Sequence, residues 1–136
     1  MTSVEGTFTV TAFDPVDWTP EISTALPTGH AHLRKEFSGG VQGTAITQFS
    51  YAFDDAGGGS YMALESFEGS LGELEGAFNF SHSATTTGGS ERSNEFFLIV
   101  PGSGTGDLAG ISGTGALIID AGGTHRMRFD YELNPG

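Results

Sequence analysis

The segment Val100 to Gly115, VPGSGTGDLAGISGTG, constrains the fold more than any other stretch. Glycine makes up six of its sixteen residues. Each glycine costs about 0.5–1 kcal/mol of ordering relative to alanine, so no helix is expected there. The same punctuation recurs upstream. Phe37-Ser38-Gly39 leads to Gly43, Phe67-Glu68-Gly69 to Gly76, and Leu108-Ala109-Gly110 to Gly113. Each unit has an apolar residue, a glycine two places on, a short turn, and a glycine opening the next strand. Three such hairpins in sequence predict an up-and-down meander. Closing a meander removes its exposed edges.

Between these turns the chain alternates at period two, the mark of half-buried strands. In Gly6 to Phe13, Phe8, Val10 and Ala12 face one way and the threonines the other. Asp14 to Pro27 holds three prolines and the only tryptophan, Trp18. It reads as a long loop with room for one helical turn, placed to fold over a barrel mouth. In His30 to Ser38, Leu33, Lys35 and Phe37 share a face. In Gly43 to Phe53, Ala45, Thr47, Phe49, Tyr51 and Phe53 do. Tyr61 to Glu68 aligns Tyr61, Ala63, Glu65 and Phe67, and Ala77 to His82 aligns Phe78, Phe80 and His82. Ser83 to Ser90 reads as a polar loop. Asn94 to Val100, which holds Phe97, is too continuously apolar for periodicity to orient. Thr114 to Asp120 is a further strand. His125 to Leu133 sets Met127, Phe129, Tyr131 and Leu133 opposite Arg126, Arg128, Asp130 and Glu132. The count predicts one all-β domain over residues 1–136, a closed eight-stranded antiparallel barrel of lipocalin-like proportions. Such an interior is filled by side chains or holds one small ligand.

The composition of this 136-residue chain narrows the partners. Seventeen acidic and five basic residues give a formal charge of −12, which repels nucleic acid and anionic membrane surfaces. No apolar stretch approaches the ~20 residues of a membrane helix, and MTSVEGTFTV has no basic region followed by an apolar run, so no signal peptide is expected. With no cysteine there is neither disulfide nor thiolate metal site, which is compatible with a cytoplasmic location.

The glycine segment also carries a resemblance. Val100-Pro101-Gly102-Ser103-Gly104-Thr105-Gly106-Asp107-Leu108-Ala109-Gly110 is similar to the signature of a family of small bacterial proteins of unassigned function. Gly6-Thr7-Phe8-Thr9-Val10, Phe37-Ser38-Gly39 and Phe129-Asp130-Tyr131-Glu132-Leu133 extend the likeness over nearly the whole chain. The loop with Trp18 and the stretch Ser83 to Ser93 match least. The resemblance implies a barrel like that of allene oxide cyclase. By analogy it implies a cyclase that folds a flexible, largely apolar substrate inside the lumen. It transfers no catalytic residue, and fold alone does not carry function.

The candidate chemistry lies in polar residues on otherwise apolar faces. Lys35, Glu65, His82 and Tyr131 all point inward if the aromatic faces line the lumen. Buried charges need partners, so Lys35 and Glu65 could pair. Glu65 or His82 would move a proton, and Lys35 or Tyr131 would stabilise developing negative charge. Trp18, Phe37, Phe49, Tyr51, Tyr61, Phe67, Phe78, Phe80, Phe97, Met127 and Phe129 would form the substrate-binding walls. A satisfied polar network in a filled barrel explains the same pattern. Gly102-x-Gly104-x-Gly106 is not a phosphate loop, because a strand follows and no lysine lies in it. His30 and His32 share a face but are too few for a metal site. The expectation is therefore a cyclase or isomerase with no cofactor and no metal, acting on a polyketide-like or fatty-acid-derived chain. The alternative is a non-catalytic carrier or sensor of an apolar metabolite. A homodimer through the outer face is the expected assembly.

Overall fold

A computed structural model describes residues 1–89 and 91–133. It contains eight antiparallel strands: β1 (Thr2–Pro15), β2 (Thr28–Gly39), β3 (Val41–Phe53), β4 (Gly58–Leu71), β5 (Leu74–Thr87), β6 (Arg92–Ile99), β7 (Ile111–Ile119) and β8 (His125–Leu133). Each pairs with its neighbours in the chain, and β1 also pairs with β8, so the single sheet returns on itself as a ring. The one helical element among the described residues is a 3₁₀ turn, Gly106–Leu108. No helix is long and apolar enough to cross a membrane.

The strands outrun the expected boundaries. Ser83 to Thr87 is not loop but the end of β5, with Ala84 and Thr86 buried; Ser90 lies outside the described residues. The threonines there favour the pleated backbone. Asp14 to Pro27 contains no helical turn. The expected common face of Phe8, Val10 and Ala12 is interrupted. Phe8 and Val10 keep a common face opposite Phe37 and Lys35, but the β1–β2 register shifts between Val10 and Ala12, which sets Ala12 opposite Arg34. A bulge of this kind breaks period two.

The connections β2–β3, β4–β5 and β6–β7 lie at one end of the ring, which is filled. Phe37, Phe67, Phe78, Phe80, Phe97 and Phe129 join Val41, Leu71, Leu108 and Ile111 in one buried cluster. Phe80 and Phe97 stack at 5.2 Å, and Phe129 meets Phe80 edge-on at 5.1 Å. Both arrangements suit the ring quadrupole.

The glycine-rich segment covers the edge of β5 beyond its pairing with β6. Thr105 N donates to Ala77 O at 2.8 Å, Asn79 N to Ser103 Oγ at 3.0 Å, and Glu75 N to Asp107 Oδ2 at 3.1 Å. Leu108 is then driven fully into the core. Contact this close requires glycine at Gly76, where a Cβ would lie 2.0 Å from Thr105 O. Gly76→Ala should therefore lower stability by about 1–3 kcal/mol. Gly122→Ala, whose Cβ would meet nothing within 4 Å, should stay within ~0.5 kcal/mol of wild type. Urea denaturation compares the two, and equal midpoints would mean that the segment does not press on β5.

Candidate functional site

The opposite end of the ring holds a hollow of about 310 Å³ to which every strand contributes a wall residue. Phe8 comes from β1, Leu33 and Lys35 from β2, Phe49 and Phe53 from β3, Tyr61 from β4, His82 and Thr86 from β5, Arg92 from β6, Leu117 from β7, and His125 and Met127 from β8. The walls are mostly apolar, and the polar groups form two small networks.

The first network joins β2, β3 and β4. Lys35 Nζ donates to Glu65 Oε2 at 3.0 Å, and Thr47 Oγ1 donates to Glu65 Oε1 at 2.8 Å. Glu65 is 0% exposed, so its two oxygens depend on these partners. Lys35 also lies 5.2 Å from the centre of the Phe8 ring, a favourable cation–π distance.

The second network runs across β4, β5 and β6. His82 Nε2 donates to Glu95 Oε2 at 2.8 Å, which leaves Nδ1 to accept from the Tyr61 hydroxyl at 3.4 Å. Arg92 Nε donates to the same hydroxyl at 3.3 Å. Burial pushes the His82 pKa below 6.5, and the opposing pull of Glu95 is weaker. Glu95 is partly solvated, which screens its field. His82 is thus neutral at pH 7 and keeps a basic nitrogen. Burial raises the Tyr61 pKa above 10.0, against the lowering effect of Arg92, so the phenol keeps its proton. A carboxylate-oriented imidazole beside a protonated phenol can pass a proton to and from a bound molecule.

Arg92 owes its place to an irregularity. The β5–β6 register shifts between Ser83 and Thr85, and Asn94 has φ 52. Asparagine tolerates that left-handed conformation better than most residues. The extra residue reverses parity along β6, so Arg92 turns inward beside Thr86, its partner across the ladder. Pairing of β6 with β7 is confined to Ile99 and Gly113. Where it lapses, Glu95 Oε2 accepts from Leu117 N at 3.2 Å and satisfies that backbone donor.

Of the residues expected to do chemistry, Lys35 and His82 line the hollow, and Glu65, fully buried, lies behind Lys35 as its partner. Tyr131 does not. It packs in the apolar cluster with Phe129 and lines no part of the hollow. Of the expected walls, Phe49, Tyr61 and Met127 line it, whereas Phe37, Phe67, Phe78, Phe80, Phe97 and Phe129 belong to the packed cluster. Tyr51 is not among the lining residues; it stacks on Phe53 at 5.3 Å and rests against Gly29. Trp18 is not over the mouth. It is 64% exposed and borders a shallow depression on the outer face with Val16 and His30. No cluster of three metal-ligating side chains exists among the described residues.

The chain belongs to the DUF3224 family, described as a protein family of unknown function, whose model matches residues 4–131. A solved DUF3224 protein of unknown function from Shewanella oneidensis MR-1 is similar over 100% of this chain and 99% of its own, at 28% identity and a TM-score of 0.86. No curated protein matches.

The Lys35–Glu65 pair makes a direct prediction. Lys35→Met leaves a buried carboxylate with Thr47 alone and should destabilise by about 3–5 kcal/mol. Adding Glu65→Leu should recover most of that loss. Chemical denaturation of the two variants checks it, and a double variant no more stable than the single would show that the pair is not isolated from the rest of the fold.

Proposed function

We propose that the ring is a closed up-and-down barrel of the allene oxide cyclase-like kind. Its interior binds a flexible, largely apolar small molecule, polyketide-like or fatty-acid-derived, and acts as a cyclase or isomerase without a cofactor. The observation that carries this reading is the hollow walled by all eight strands, with a base and an acid at one side of it. His82 Nδ1 would take a proton from carbon next to a substrate carbonyl. The Tyr61 hydroxyl would stabilise the oxygen that gains negative charge. The proton then returns to another atom of the same substrate, so nothing is oxidised or consumed. Apolar walls holding the reacting atoms together supply the rest by proximity. The second reading, a carrier or sensor, uses the same hollow and returns its ligand unchanged.

Native mass spectrometry of protein purified gently from its own source, with the released molecule identified, is the first test. Incubation with that molecule's precursor should give turnover. Tyr61→Phe and His82→Gln should still bind while turnover falls about 10²–10⁴-fold. Binding without turnover in the wild type would establish the carrier instead.

The expected self-association has a candidate surface. On the outer face Met62 and Phe96 are 66% and 55% exposed, with Ile46, Leu64 and Leu98 beside them. Met62, Leu64 and Phe96 border a depression of about 460 Å³ that holds no acidic or basic side chain other than histidine. We propose that a second copy of the chain covers it, since in a protein of charge −12 an uncharged apolar face is where two copies meet with least repulsion. Sedimentation should show a dimer that Phe96→Glu converts to monomer. A monomeric wild type at high concentration would refute the interface.

A further inference from the structure

Arg92 stands apart from the other basic residues. Arg34 approaches Glu36, Lys35 pairs with Glu65, Arg126 with Asp120, and Arg128 with Asp130. Among the described residues no carboxylate lies within ion-pair distance of Arg92. Its contacts are all neutral acceptors. Nε donates to the Tyr61 hydroxyl, and Nη1 donates to Thr86 Oγ1, Gly89 O and Glu91 O at 3.2, 2.9 and 3.2 Å. The guanidinium also lies 5.8 Å from the centre of the Tyr61 ring. Seventeen acidic side chains were available to this fold, yet a bulge at Asn94 directs an arginine into the wall of an apolar hollow with none opposite it.

We infer that Arg92 is a carboxylate-binding residue and that the interior takes an apolar chain ending in a carboxylate. With Nε and Nη1 engaged by these neutral acceptors, Nη2 has no partner among the described residues and keeps its N–H groups for a charge-assisted hydrogen bond to a carboxylate. The neutral contacts fix its orientation without cancelling its charge. The chain would extend from Arg92 along Phe49, Phe53 and Leu117 toward Met127, passing Tyr61 and His82 on the way. Lys35 is not an equivalent anchor, because Glu65 already neutralises it. The inference rests on the reading of the interior as a ligand site and specifies the head group of what enters.

Calorimetric titration with decanoate and with 1-decanol, both below their aggregation limits, tests it. Wild type should bind decanoate roughly tenfold or more tightly than the alcohol. Arg92→Gln should abolish that preference and leave alcohol affinity unchanged, and Arg92→Lys should restore part of it. Ala63→Phe, which fills the hollow, should remove both. An unfolding midpoint for each variant separates lost recognition from lost structure. Equal affinities in the wild type, or a preference that survives Arg92→Gln in a folded protein, would overturn the role of Arg92 while leaving the interior a ligand site. Failure of wild type to bind either probe, or binding indifferent to Ala63→Phe, would remove the interior site and the inference together.

Discussion

The return of β8 onto β1 governs everything inside this molecule. A sheet closed on itself has no second layer to cover its inner face, so its own side chains must fill the space. At the β4–β5 end this is done with phenylalanines and a leucine delivered by the glycine-rich segment. Toward the other end Lys35, His82 and Arg92 point inward, Glu65 and Thr47 back Lys35, and a hollow is left. The division is one of chemistry as well as space. Aromatic rings pack to the density of a solid core, whereas paired polar groups hold one another at hydrogen-bond length and stand off from the opposite wall.

Period two placed Lys35, Glu65 and His82 on the inner face, because strand parity is a local property of the backbone. Depth is not local. Tyr131 also faces inward, yet it sits in the packed cluster, since its height depends on how β8 is staggered against β1 and β7. The same stagger separates Phe49 and Met127, which border the hollow, from Phe78 and Phe129, which do not. No single strand records that stagger. Parity itself failed where a bulge intervened. Nothing in the run Asn94 to Val100 announces that Asn94 takes φ 52, and with parity reversed beyond it Arg92 stayed hidden. The asparagine was the one available signal, being among the few residues that accept a left-handed backbone.

Trp18 shows a different limit. A proline-rich loop at the mouth end could cover the opening or fall outside it, and only contacts decide. Val16 N donates to His30 O at 2.8 Å, which draws the start of the loop along β2 and away from the opening.

The glycine segment and the polar hollow lie on different parts of the barrel-like ring, and this bears on what a family signature can mean. Gly76 and Gly104 are needed because carbonyls of Thr105 and Leu108 approach within 2.0 and 1.9 Å of where a Cβ would be. That constraint concerns how one segment seals the edge of β5, and it would hold whatever the interior binds. Chemistry is placed elsewhere, by the Asn94 bulge and the Lys35–Glu65 pair. A buried ion pair seldom adds net stability over apolar residues of the same volume. Its position beside the hollow, with Glu65 fully buried, is where fixed charges are least screened by solvent. The polar half of the ring is therefore not explained by closure of the sheet, whereas the aromatic half is.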